Sequence, residues 1–184
     1  MTRFECLGAS KRMVVIRKAH DEDIKALSRK LLLLLKDESS QIYIDNVVKF
    51  GIPDVYVEKA FAEETLQNAI EKGGATFYLA FENNDIIGFA QIIRQNASTA
   101  ELDRIVVFPP YERKGIGTQL LQFALFDMEQ KGVSHVFVNT GKEETHARRF
   151  YEKNGFKLVK EATIDTPWGK KLNIVTYQLR LGSI

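Results

Sequence analysis

Residues 101–121, ELDRIVVFPPYERKGIGTQLL, constrain the chain more than any other stretch, because they require a buried strand, an abrupt stop and a glycine-opened helix in quick succession. Leu102 to Phe108 is apolar and β-branched after a polar start, and Pro109-Pro110 closes it because proline supplies no N–H to a ladder. Helical spacing then takes over. Ile116, Leu120, Leu121, Ala124, Leu125 and Met128 form one stripe that runs down to Gly132, a residue suited to the helix C′ position. Gly115 and Gly117 remove side chains where this helix begins, so its unpaired N–H groups and positive dipole end are free to face an anion.

Three anion-binding loops compete for this segment. A P-loop needs Lys followed by Ser or Thr after its second glycine, whereas Gly117 is followed by Thr118-Gln119. A dinucleotide fingerprint needs a third small residue at the place Leu120 fills. The third is the acetyl-CoA loop Gln/Arg-x-x-Gly-x-Gly/Ala of the Gcn5-related N-acetyltransferase (GNAT) superfamily. Glu112-Arg113-Lys114-Gly115-Ile116-Gly117 resembles it except at the first position.

With 184 residues the chain suits one domain with a substantial core. Its 26 Lys+Arg against 24 Asp+Glu leave a net charge of only +2, too small to commit it to nucleic acid. Cys6 is the sole cysteine, which excludes an intrachain disulfide and a cysteine-built zinc site and suits a reducing, cytoplasmic setting. Residues 1–12 are expected to form a flexible tail ahead of a domain at 13–184. The longest apolar run, Leu31 to Leu35, is far short of a membrane span, so no membrane association is expected. His20, His135 and His146 lack ligand spacing, and no metal is expected.

Met13 to Arg17 reads as the first strand, followed by a helix with Asp21 as N-cap and Ile24, Leu27, Leu31, Leu34 and Leu35 on one face. Residues 41–51 are open between a short helix and a loop. Val57, Phe61, Leu66 and Ile70 support one helix or two short ones, ended by Gly73-Gly74. Thr76 to Glu82 and Ile86 to Arg94 form a hairpin around Asn83-Asn84-Asp85, and Gly88 marks a bulge or a close backbone approach. After the central strand and its helix come a strand at His135 to Asn139, a helix at Glu143 to Lys153 stopped by Asn154-Gly155, and a last hairpin, Leu158 to Asp165 with Lys171 to Leu181. The order β-α-α-β-β-β-α-β-α-β-β implies a single α/β domain, a mixed sheet flanked by helices.

Three separated features resemble the GNAT superfamily: the Val-x-Phe-Pro strand before the Gly-x-Gly loop, the helix ending FYEKNGF at Phe150 to Phe156, and the element order. The resemblance covers roughly residues 13 to 181. It implies a mostly antiparallel sheet and acetyl transfer from acetyl-CoA, a co-substrate, to an amine. It also implies that the backbone of Ile105, Val106 and Val107 pairs with the pantetheine arm, and that the backbone of Arg113, Lys114, Gly115, Ile116, Gly117 and Thr118 takes the pyrophosphate. Lys142, Arg148 and Arg149 are open between meeting an adenosine phosphate and simple solvation.

By the same resemblance Tyr151 is the acid that protonates the departing CoA thiolate. Glu101 falls near the base of some members, with Asp103 as the spare; for both, a solvated strand end or a salt bridge is equally open. Two departures stand out: Glu112 where Gln or Arg is usual, and Glu144 seven residues before the tyrosine, where asparagine is common. Residues 36–64 carry seven acids against three bases and would attract a cationic acceptor. A small-molecule amine, a polyamine among the candidates, is the first expectation. A protein lysine or N-terminus and a catalytically weak acyl-CoA-binding module are the alternatives. The two C-terminal strands leave a closed edge and a homodimer edge both open.

Overall fold

β1 (Val15–Lys18) opens the chain, and α1 (Asp21–Leu35) follows it. In this computed structural model residues 13–72 and 74–182 are described, so the expected N-terminal tail, Cys6 and Gly73 lie outside the described residues. Asp21 is the first helical residue, not the cap. The cap is His20, whose backbone N–H donates to the Asp23 carboxylate at 2.7 Å, and Arg17 pairs with the same carboxylate at 2.6 Å.

The undecided stretch folds as a single helical turn, α2 (Gln41–Tyr43), that continues as a π-helical turn over Ile44–Val48. Next come two helices rather than one, α3 (Asp54–Phe61) and α4 (Glu63–Glu71), broken at Ala62. The buried Ser28 hydroxyl donates to the Phe61 carbonyl at 2.7 Å and so satisfies a carbonyl that the end of α3 leaves free.

β2 (Ala75–Glu82) and β3 (Asp85–Arg94) form the expected hairpin. Asn83 and Asn84 both take positive φ, as a two-residue turn matched to strand twist requires. In β3 the register passes from Ile86 opposite Phe81 to Gly88 opposite Ala80, leaving Ile87 as an extra residue. A Cβ on Gly88 would stand 2.8 Å from the Val106 carbonyl oxygen, so the glycine meets both a bulge and a close approach.

The central strand, β4 (Thr99–Val107), starts three residues before its expected beginning. It pairs with β3, and Asp103 is bulged out between Leu102 opposite Ile92 and Arg104 opposite Gln91. α5 (Ile116–Gln130) then ends at Gly132, where φ is +83°. β5 (His135–Gly141) leads to α6 (Thr145–Lys153), which begins two residues later than its sequence pattern suggests. Gly155 N–H bonds to the Glu152 carbonyl and Phe156 N–H to that of Tyr151, the paired closure of a glycine-stopped helix. β6 (Lys157–Asp165) and β7 (Lys171–Arg180) close the chain.

Among the described residues seven strands lie in the order β1-β2-β3-β4-β5-β7-β6, and only β4 and β5 run parallel. One face carries α5 and α6 over a core that includes Ile87, Ala90, Ile92, Ala100, Leu102, Val136, Val138 and Tyr177. The other carries α1, α3 and α4 over Phe77, Leu79, Phe89 and Phe108. No helix among the described residues is long and apolar enough to cross a membrane.

Candidate active site

The single parallel pair is short. β4 and β5 are in register only at Thr99 with His135, Ala100 with Val136 and Glu101 with Phe137. Beyond Glu101 the ladder stops while both strands continue, so the sheet opens as a fork at its centre. On the β4 arm, Ile105, Val106 and Val107 are paired to Ala90, Phe89 and Gly88 of β3 along one edge. Their other edge, unpaired to β5, offers backbone groups to an extended ligand.

The fork's β4 arm runs straight into the glycine loop. Arg113 holds φ +59° and Gly115, the N-cap of α5, holds φ +80° with no side chain capping the helix. The first backbone bond of α5 here, Gln119 N–H to Gly115 O at 3.1 Å, leaves the N–H groups of Ile116, Gly117 and Thr118 without an i−4 carbonyl in the helix. Gly117 sits where three elements meet. A Cβ placed there would lie 3.6 Å from both Val107 Cγ2 and the Phe150 ring. That is ordinary contact distance, so the protein's own packing does not demand glycine. Lys114 Nζ stands 5.2 Å from the centre of the Tyr111 ring, while Glu112 and Arg113 are exposed.

Tyr151 reaches the core from α6, on the α5 side of the sheet. Its ring contacts Phe150, Phe156 and Tyr177 at centroid distances of 5.5, 5.7 and 6.2 Å. The residue is buried, and desolvation alone pushes the phenol up to about 12, which keeps it protonated at neutral pH.

The two carboxylates differ. Glu101 is half-buried at the last β4–β5 pair, on the opposite face from Leu102 and hence from the α5 core. Its oxygens accept hydrogen bonds from Gln95 Nε2 and Asn139 Nδ2, both at 2.9 Å. Asp103 is exposed at the bulge and accepts from Arg104 Nε at 3.1 Å. Of the basic candidates, Lys142 pairs with Glu161 at 2.6 Å. Arg148 donates to the Tyr177 hydroxyl and to the Lys142 carbonyl, while Arg149 is exposed.

Sequence reasoning missed a strap on the Glu101 side. Lys49, at the end of the π-helical turn, pairs with Glu144 at the N-cap of α6, 3.0 Å away. The ring of Phe50 lies against Gly141, the last residue of β5. Trp168, in the β6–β7 turn, donates to the Phe50 carbonyl at 3.3 Å and stands 5.9 Å from Tyr56, while the Lys170 side chain covers Gly51. Only the excess of acids over bases in residues 36–64 hinted at a role.

Comparison with known proteins bears on this arrangement. A sequence model of the acetyltransferase (GNAT) family matches residues 41–156. A spermidine N(1)-acetyltransferase of Thermoplasma acidophilum is 28% identical over 149 residues, covering 79% of this chain and 89% of its own. A ribosomal protein bS18 alanine N-acetyltransferase of Haemophilus influenzae is 40% identical over 78 residues, covering 42% of this chain and 52% of its own. Among solved structures, the PaiA N-acetyltransferase of T. acidophilum in complex with coenzyme A has a TM-score of 0.61 at 24% identity, covering 89% of this chain and 98% of its own. A GNAT acetyltransferase of Staphylococcus aureus has a TM-score of 0.68 at 22% identity, with coverages of 92% and 99%. These structural likenesses carry the fold, and the family match spans the fork, the glycine loop and the helix bearing Tyr151. The chain belongs to the acetyltransferase (GNAT) family.

Proposed function

We propose that the protein transfers the acetyl group of acetyl-CoA directly to a primary amine of a small molecule, with a polyamine as the favoured class. The observation that carries this reading is the fork between β4 and β5, opening beside the uncapped start of α5. The fit rests on the donor set. The free edge of Ile105, Val106 and Val107 suits the amide-bearing pantetheine arm, and the N–H groups from Arg113 to Thr118 suit a diphosphate. Glu112 adds a negative charge to that loop, offset by the adjacent Arg113 and Lys114.

In this mechanism an acceptor ammonium reaches the Glu101 face and passes one proton to the carboxylate. The freed lone pair forms the N–C bond at the acetyl carbonyl. The C–S bond breaks, sulfur leaves with the bonding electrons, the nitrogen sheds its second proton and sulfur is protonated, so one proton in total reaches solvent. Tyr151 serves the sulfur. A phenol held at about 12 is a weaker acid than a free thiol at about 8.5, so complete transfer to a water-exposed thiolate would run uphill. The same desolvation that raises the phenol raises the basicity of the sulfur beside it. The O–H therefore hydrogen-bonds the sulfur as charge develops and yields its proton within that dry environment.

Two features support a polyamine: the acidic balance of residues 36–64, and the neutral amides of Gln95 and Asn139 as the hydrogen-bond partners of Glu101 among the described residues. The longer curated match, to a spermidine acetyltransferase, points the same way. The shorter but more identical match favours a second reading, in which the acceptor is a protein N-terminus. Acceptor-dependent release of CoA thiol separates them. Polyamines are expected to exceed amino acids, aminoglycosides and alanine-initiated peptides in kcat/KM; a preference for the peptides selects the second reading, and silence with every acceptor removes the first.

A further inference from the structure

Glu101 is held by two side chains, one from β5 and one from the loop between β3 and β4, and a third on β7 fixes the first. Asn139 lies two residues beyond Phe137, the last β5 partner of β4, so its side chain shares a face with Glu101 across the opening of the fork. Its Nδ2 donates to Glu101 Oε1 at 2.9 Å. On its far side Asn139 is the direct cross-strand partner of Thr176 on β7, whose hydroxyl donates to Asn139 Oδ1 at 2.7 Å. The carboxylate determines the amide: it can only accept, so the NH2 of Asn139 must face Glu101, which leaves the amide oxygen to accept from the Thr176 hydroxyl. Gln95, in the loop between β3 and β4, donates to the other Glu101 oxygen, Oε2, at 2.9 Å.

We propose that Asn139, oriented by Thr176 and seconded by Gln95, is a positioning residue that aims the Glu101 carboxylate at the acceptor amine. The inference rests on the reading of Glu101 as the group that takes the amine proton. Each oxygen keeps lone-pair capacity after accepting one amide N–H, so the carboxylate remains able to accept from an ammonium. Neutral amides fix the direction of a flexible two-carbon side chain without cancelling its charge. A lysine or arginine in their place would neutralise the carboxylate and repel a cationic acceptor. Asp103, the other carboxylate, shows that contrast, because its partner is the Arg104 guanidinium.

Asn139 also bridges β4 and β5 where their backbone ladder ends, so a purely structural clasp is the rival account. A double-mutant cycle distinguishes the two. Asn139→Ala is expected to lower kcat about tenfold, a fraction of the 10²–10⁴ that a positioned proton acceptor contributes, while KM for acetyl-CoA stays unchanged. Thr176→Val, which releases the amide to rotate, is expected to lower kcat in the same direction. In a Glu101→Gln background, where the side-chain oxygen still accepts from Asn139 but cannot take the proton, Asn139→Ala is expected to cost nothing further. Wild-type kcat in Asn139→Ala, or the same tenfold loss in both backgrounds, overturns the positioning role. Thermal unfolding of each variant keeps the result interpretable, because a clasp lowers the midpoint equally whether residue 101 is Glu or Gln. Activity in the wild type with no effect of Asn139→Ala defeats this inference alone; a wild type that acetylates nothing defeats it together with the reading beneath it.

Discussion

Gly117 and Tyr151 are the residues at which packing and function separate most cleanly. At Gly117 an added Cβ meets its neighbours at 3.6 Å, and the backbone lies outside the left-handed region, so Gly117→Ala costs no strain in the protein itself. Reduced unfolded-state entropy is expected to hold or raise stability, by up to about 1 kcal/mol. In the proposed cofactor site the methyl group would nevertheless meet a diphosphate at the first N–H groups of α5, so acetyl-CoA binding is expected to weaken at least about tenfold. Calorimetric titration alongside thermal unfolding reads both quantities, and unchanged affinity would detach the glycine loop from the cofactor. Gly115, with φ +80°, gives the opposite case, because alanine there is strained whatever the ligand.

For Tyr151 the expected outcome of Tyr151→Phe is a fall in kcat of about 10²-fold with acetyl-CoA affinity retained. A pH effect accompanies it. The folded phenol titrates near 12 and the unfolded one near 10, so between those values the folded state keeps a proton that the unfolded chain has lost. Stability contributed below pH 10 is therefore lost as pH rises through that window, by up to about 3 kcal/mol. The drop in thermal midpoint between pH 9 and pH 11 is expected to be smaller in Tyr151→Phe than in the wild type. Equal drops would show that the ring is not desolvated as the structure has it.

At the scale of elements, the strap from the π-helical turn to the β6–β7 turn lies over the end of β5, and in the proposed function it frames the acceptor side. Trp168→Ala removes both the hydrogen bond to Phe50 and the contact with Tyr56. It is expected to raise the acceptor KM about fivefold, equivalent to about 1 kcal/mol of lost preorganisation, with KM for acetyl-CoA unmoved. A matched rise in both constants would place Trp168 in general stability instead. Elements set by local chemistry were legible in the sequence: the Asn83-Asn84 turn, the stop at Gly132, and the closure at Gly155-Phe156 each follow from a few adjacent residues. Elements set by distant partners were not. No glycine or proline marks the break between α3 and α4; it coincides with the bond from Ser28, thirty-three residues earlier in the chain. The Asp103 bulge depends on the register with β3, and the pairing of Glu101 with Asn139 spans thirty-eight residues and two strand registers. The glycine loop could thus be anticipated, while the fork set by the short β4–β5 register, the side chains that hold Glu101 and the contacts of the strap over β5 could not.

Across the whole molecule, one sheet puts two chemistries on opposite faces of a single opening. Tyr151 belongs to the α5 and α6 face, Glu101 to the other, and the unpaired arm of β4 runs between them into the anion loop. In the proposed mechanism an acetyl group delivered along that arm would be accessible from both sides, which is what direct transfer without an acyl-enzyme stage requires. The most direct test is incubation with acetyl-CoA carrying an isotopic label in its acetyl group and a polyamine acceptor, followed by mass analysis of amine and protein. Label on a primary nitrogen of the amine, with none retained on the protein, is the predicted result. Label bound covalently to the protein, or left on CoA when acetyl-CoA is shown to bind, would contradict direct transfer to a small amine.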